Sequence, residues 1–478
     1  MSIDSIARGL AARGLTYGQG IGFPVAPPQR FGWDFPTYPV NIYKDGPRHF
    51  TTDLDPRSVI PSDVWNGPVY YAAYNGNNAN AGTSPSTAVR SVWRMKQLLD
   101  ASPAPAGIFM AMVDPDLGYT LWDRNNDLND TGGAGGGQNT APTKPYALMS
   151  YGGVSYMGAV PNLVWTYDAT SKTYSVTRSL VTAVADFSAY NRWGVFKRLP
   201  KIAAGADLAA TRPLVGAAPG SYALTAANDL VVRLENDAVV SDQTVRVMLG
   251  AVDALKLGPV PCYISGFALV GGTQAGVVNG TQAATRNVVM DDCDASFAGI
   301  DGGNGGRNNY AFDNMTGLVV LRRCKGVSAH ADIFNWHSVT GNLHGLMIDC
   351  EGIDAGRAGA SPVNLSNQIS TAHEKVKLIS FNTRGLYASG ALVRNINESE
   401  HLDLGSEYGL DRGDVRYAGG TQVSTGVAVN DTSKYWGDCI TIRGCQQTFY
   451  ATSAAEINLR DPIEIGGVRG GSGTFRNY

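Results

Sequence analysis

The chain has 478 residues, a net charge of −3, 58 glycines and only 17% charged residues, against averages of roughly 7% glycine and 25% charge. The near-neutral balance, with no basic stripe, argues against a nucleic-acid-binding face, and no run approaches the roughly 18 apolar residues of a membrane span. Six cysteines without a CxxC pair fit no common zinc motif, so neither metal nor cofactor is expected.

Residues 3–15 carry Ile3, Ile6, Ala7, Leu10 and Ala11 at helical spacing. So short a helix is marginal alone and folds against a partner or against the body of its own protein. Met1 to Arg8 lack the basic start and apolar core of a signal peptide, so a soluble chain made in the cytoplasm is expected. Residues 16–62 are rich in Pro, Gly and aromatics, among them Phe23, Phe31, Trp33, Phe35 and Tyr38. Proline blocks helix and central strand alike, yet the aromatics need burial. An extended arm lying on another surface satisfies both, and residues 1–60 are expected to form a docking unit.

Val69 to Tyr74 read as a strand, followed by a Gly/Asn loop to Gly82. Ser84-Pro85 then opens a helix, with a capping residue and a first-turn proline. Val92, Met95 and Leu99 form its apolar stripe. Residues 61–145 are therefore the opening segment of the body, with this helix capping the first coil. Asp123, Asn125, Asp127 and Asn129 alternate as in a calcium loop, but no glycine stands sixth and no acid twelfth; a solvated loop is expected. From Tyr146 short β-like runs dominate, such as 174–181, 229–234, 245–249 and 262–270, and a parallel solenoid is expected over 146–478. Its last clear coil is Cys439 to Cys445, with a glycine-rich tail from Gly466.

Within that region one pattern recurs four times, ending at Cys293, Cys324, Cys350 and Thr383, and an alanine follows each anchor by five residues: Ala298, Ala329, Ala355 and Ala388. Self-similarity at a period of 20–50 residues means stacked units, each too small to bury its own apolar face. With no helical stripe, the unit reads as one coil of an all-β solenoid, its coils about 4.8 Å apart. The cysteines read as a stack of small buried thiols. Charged residues precede the anchor in three copies (Asp291-Asp292, Arg322-Arg323, Asp349). Burying them in a strand is costly, so a corner is expected there, with the anchor beginning the next strand.

Five of the six histidines lie between 330 and 401, at 330, 337, 344, 373 and 401. Asp301 and Asp332 each fall eight residues past an anchor and would lie one coil apart. Close carboxylates can serve as nucleophile and acid in glycoside cleavage, one of them with a raised pKa, and His330 or His337 beside them could take a proton. Three readings remain open: a catalytic set of Asp301, Asp332, His330 and His337; a non-catalytic carbohydrate groove; and ordinary turn residues. In the groove reading Trp336 is a sugar platform, with Asn335, Asp354, Arg357, His373 and Glu374 as polar contacts.

The strand–loop–helix of Tyr70 to Leu99, the stretch Asp332 to Cys350 and Ser370 to Glu374 resemble right-handed parallel β-helix proteins of the pectate-lyase-like class, especially spikes of phage-type particles. Ser5 to Ala11 resemble the opening of phage structural proteins. The resemblance implies a receptor-binding tail or head spike, including the capsule-binding head spikes of gene transfer agents. It implies attachment to host capsular polysaccharide, a particle-side partner held through residues 1–60, a homo-oligomer (a trimer by preference) and display on the particle surface after release. The alternative is a polysaccharide lyase or glycoside hydrolase acting on that capsule.

Overall fold

A strand that buries both faces needs a neighbour on each edge and cover on each side, and this chain meets the need by winding. A computed structural model describes residues 22–122, 142–158, 160, 163–179, 181–188, 197–249, 254–272, 275–279, 285–299, 308–339, 342–356, 367–410, 423–452 and 454–478. These residues form three long parallel sheets, of twelve, ten and nine strands. In sheet I the strands follow one another in chain order, from Val69–Ala73 to Thr474–Asn477, so each coil stacks on the one before. A coil runs through sheet I (Val288–Asp291), sheet II (Asp294–Ser296) and sheet III (Asn308–Asp313), and each strand pairs in parallel with its counterpart one coil on.

The charged residues before the anchors do lie at a corner. Asp292, Arg323, Asp349 and Asn382 occupy equivalent corners between sheets I and II, each with φ between 47° and 53°. Non-glycine residues resist this left-handed conformation by roughly 1–2 kcal/mol. The ladder of backbone bonds passing through the corner offsets it: Asp292 donates to the Arg322 carbonyl, Arg323 to Ile348 and Asp349 to Phe381. The anchors Cys293, Cys324 and Cys350 then turn inward, buried and free, each one residue before its sheet II strand. The four alanines are fully buried behind a second left-handed corner at Phe297, Ser328, Asp354 and Tyr387.

Three expectations change. Ser84-Pro85 opens only a 3-10 turn (Pro85–Thr87), because Ala88 is extended and Val89 bridges to Ala72; the helix proper (Val92–Ala101) has its own cap, Ser91. Its stripe is as expected: Val92, Met95 and Leu99 are buried in the interior core. The solenoid is not continuous from 146. Thr166–Asp168, Thr173–Thr177, Ser221–Leu224 and Asp229–Arg233 form an antiparallel sheet with its own core, and Val181–Asp186 pairs antiparallel with Val245–Leu249. This insertion leaves between a sheet II strand (Val154–Met157) and a sheet III strand (Leu255–Leu257). It is held to the coils by Arg246, whose guanidinium lies 4.7–5.2 Å from the rings of Tyr119, Tyr156 and Phe187. Alternating strands read alike in parallel and antiparallel sheets, so sequence did not separate them. Finally, the glycine-rich tail is itself part of the solenoid: Val468–Gly471 and Thr474–Asn477 add strands to sheets III and I, completing a further coil that Ile463–Ile465 begins in sheet II.

The surface beneath the proline-rich arm is the chain's own. Phe31, Trp33, Val40, Ile42 and Phe50 join a core with Val289, Val320, Leu346, Ile379, Leu402 and Trp436 on the outer face of sheet I. The arm runs lengthwise: Arg48 donates to the Ile440 carbonyl at 3.0 Å and Asn382 Nδ2 to Phe50, while nearer the first coils Asn287 Nδ2 donates to Val59 and Trp65 packs edge-on to Tyr263. Residues 1–21 and the alternating Asp/Asn loop lie outside the described residues.

Among the described residues a polar cluster is buried inside the coils around His401 and Asp403. His401 and Asp403 point inward from sheet I; His401 Nε2 is 2.8 Å from Ser380 Oγ, and Asp403 accepts the hydroxyls of Tyr408 and Tyr435 at 2.8 Å each. Burial pushes His401 down to about 3 and Asp403 up to about 6. A histidine held neutral in the fold but free to charge when unfolded costs stability as pH falls below about 6.5. His401 should therefore remove about 2 kcal/mol between pH 7 and pH 5. Asp403 acts in the opposite sense, since a raised carboxyl loses its contribution as pH climbs from about 4 to 6. Comparing unfolding midpoints of wild type and His401→Leu across this range isolates the histidine, because Asp403 is common to both; parallel pH profiles would contradict the assignment.

Candidate functional site

The outer faces of the three sheets differ. That of sheet I lies under the arm. Sheet II carries charges that pair among themselves: Lys325 and Arg384 each reach Glu351 at 3.2 Å, and Arg443 reaches Glu407 at 2.8 Å. Sheet III presents two rows in which half-buried side chains, most of them polar, are spaced by small buried residues such as Ala311, Thr371 and Ala428. Alternation along Phe334–Ser338 turns Phe334 and Trp336 inward and Asn335 and His337 outward. Pairing then sets Ala311, Asn335, Thr371, Arg394, Ala428 and Tyr450 in one row, and Asp313, His337 and His373 in the next.

Within these rows hydrogen bonds hold the geometry. Asp332, buried at the strand's start, accepts Asn335 Nδ2 at 2.9 Å and the Gln368 backbone N–H at 2.7 Å. Asn335 Nδ2 also lies 3.5 Å from His373 Nε2, and the rings of His337 and His373 meet edge-on at 5.6 Å. His337 Nε2 is 3.6 Å from Glu374 Oε1, and Arg394 Nε donates to Asn430 Oδ1 at 3.3 Å.

Burial raises the Asp332 carboxyl from its ordinary value, against the opposing pull of its donors and of Arg394. Burial raises Asp313 as well, with His337 opposing. His373 is pushed down to about 4, first by burial and then by His337 and Arg394, so it is neutral at pH 7. The face thus holds two carboxyls that retain protons more readily than usual, a neutral imidazole and a guanidinium. Such groups can donate and accept hydrogen bonds to sugar hydroxyls, and a carboxyl with a raised pKa can act as an acid.

Of the residues singled out in the sequence, Asp332, Asn335, His337, His373 and Glu374 lie near one another. Trp336 does not join them: it is fully buried, stacked on Phe312 at 5.0 Å, and a Cβ on Gly345 would lie 2.8 Å from its ring. The expected sugar platform is core, because the period-two pleat of its strand puts it on the opposite face from Asn335 and His337. His330 and Asp354 are buried at the corner between sheets II and III, where Asp354 accepts Ser328 Oγ at 2.8 Å. Asp301 and Arg357 lie outside the described residues. Nor do the five histidines form one stripe. His344 lies under the arm, its ring 4.9 Å from Trp33, and His401 lies inside the solenoid.

Asp313 and Arg394 were missed. Counting back from the paired sheet I positions Val319, Gly345 and Leu378 cannot align them: Asp313, His337 and His373 precede these by six, eight and five residues. The link between sheets III and I changes length from coil to coil, so the repeat loses register there.

No protein family matches the chain, and no curated protein matches it by sequence. Among solved structures it is similar to a glycoside hydrolase (7% identity, 86% of this chain and 97% of that one, TM-score 0.44). It is also similar to XylC in complex with xylose (6%, 85% and 69%, TM-score 0.44) and to the tailspike protein gp49 from Pseudomonas phage LKA1 (11%, 79% and 71%, TM-score 0.20). All three are distant likenesses.

Proposed function

We propose that this chain is a polysaccharide-binding spike of a phage-type particle, engaging host capsule along the outer face of sheet III. The observation that carries the reading is that face itself: of the three long sheets, among the described residues, it is the one whose outer side is neither packed under the arm nor lined by a ladder of ion pairs, and it sets Asn335, His337, His373, Arg394 and Tyr450 half-buried in two rows. A polymer laid along the axis meets a new set of side chains about every 4.8 Å, which suits an extended chain of hydroxyl-rich units. In this reading the solenoid is right-handed, as parallel crossovers nearly always are, helix Val92–Ala101 caps its first coil, and the particle carries a homo-oligomer, a trimer by preference. Since residues 22–60 lie on the body, the particle-docking role falls to residues 1–21. Deleting those residues should abolish incorporation into particles while leaving the unfolding midpoint unchanged.

A second reading, cleavage of the same polymer, is favoured by the raised carboxyls of Asp313 and Asp332. One preparation separates the two. Incubation with capsular polysaccharide should retard the protein in affinity electrophoresis without new reducing ends or unsaturated products. Product formation that Asp332→Asn or Asp313→Asn removes would establish the enzyme instead, and absence of binding would refute the spike.

A further inference from the structure

Nearly every described cation on the three long sheets has an acid partner: Arg322 and Arg323 with Asp291, Lys377 and Lys434 with Glu400, Arg460 with Asp438. Arg394 departs from this rule. Its Nε donates to Asn430 Oδ1, and among the described residues no carboxylate lies within ion-pair distance of its guanidinium. Its row neighbours one coil below and above are Thr371 and Ala428, both too small to cover it, and Tyr450 follows one coil beyond. Beside it His373 carries no charge at neutral pH. Asp332 feels Arg394 but is buried, committed to Asn335 and the Gln368 N–H, and not within ion-pair distance of it, while Asp313 lies three coils away, roughly 14 Å, beyond the Debye length of about 8 Å at physiological salt. The strip therefore has a cationic end, and the planar fork of guanidinium N–H groups matches a carboxylate.

We propose that Arg394 receives the carboxylate of an acidic sugar, so that the polymer this face binds is anionic, with Tyr450 giving the adjoining ring an apolar surface. The inference rests on the carbohydrate-binding reading and narrows it to a substrate class. A sugar carboxylate comes from a uronic acid or from a sialic acid, and the test separates these sources.

The full chain would be titrated with polygalacturonate, polysialic acid and an acidic bacterial capsule, each also in carboxyl-reduced form, with dextran as a neutral control. Binding should be confined to carboxylated polymers, weaken with added salt, and fall about ten- to hundredfold in Arg394→Met, with partial retention in Arg394→Lys. The unfolding midpoint of Arg394→Met should match wild type, since the side chain faces outward. Equal binding to reduced and native polymers, or an undiminished affinity in Arg394→Met, overturns the acidic-sugar inference and leaves carbohydrate binding standing. Binding to none of the polymers overturns both.

Discussion

A chain lacking residues 22–60 is expected to lose its soluble folded state, whereas one lacking only residues 1–21 should keep it. The arm supplies Phe31, Trp33, Val40, Ile42 and Phe50 to the core on the outer face of sheet I. Its removal would bare Val289, Val320, Leu346, Ile379, Phe381, Leu402 and Trp436, an apolar stripe running along many coils. Contiguous patches of that kind drive association. The arm also answers polar needs: the Gly32 N–H donates to Glu400 Oε2 at 2.7 Å, and His344 packs between Trp33 and Tyr38. A milder probe is Trp33→Ala, which should cost about 3–5 kcal/mol by the cavity argument. Light scattering and the unfolding midpoint measure both variants. A monomeric truncation that melts like the intact chain would show that the arm is dispensable.

Trp336→Ala should be the most damaging single substitution near the candidate site, and it should act through the fold. The indole is fully buried, stacked between coils on Phe312, and packed so closely that position 345 has room only for glycine. Truncation leaves a cavity at a cost of about 3–5 kcal/mol. Polysaccharide affinity measured well below the melting range should stay within about twofold of wild type, because the side chain faces away from the binding surface. Trp336→Phe should recover most of the loss, since the indole N–H has no hydrogen-bond partner in the interior. A large loss of affinity with an unchanged midpoint would instead return Trp336 to the surface as a sugar platform.

These expectations show how unevenly the site could be read. Asp332, Asn335, His337, His373 and Glu374 are near neighbours in the chain or one coil apart, and local composition was enough to group them. Arg394 and Asp313 enter only through lateral pairing in sheet III, where links of unequal length hide the register. His344 and His401 looked like members of the same cluster, yet one lies beneath the arm and the other inside the coils. Both occupy sheet I strands, and a one-residue change of position moves a side chain from core to surface.

The sequence by itself determined the solenoid, its coil length and the inward stack of Cys293, Cys324 and Cys350. Those follow from a repeat too short to bury itself and from charges that must leave the strand at a corner. It also determined that the aromatic arm must lie on something. Only the tertiary structure decided that the something is the chain's own sheet I, and that an antiparallel insertion interrupts the coils. It alone turned Trp336 inward and brought Arg394 to the face of His373. The reason is physical: repeat length and polarity are local properties written in neighbouring residues, whereas which face a side chain joins depends on register between coils, set by loops that carry no periodic signal.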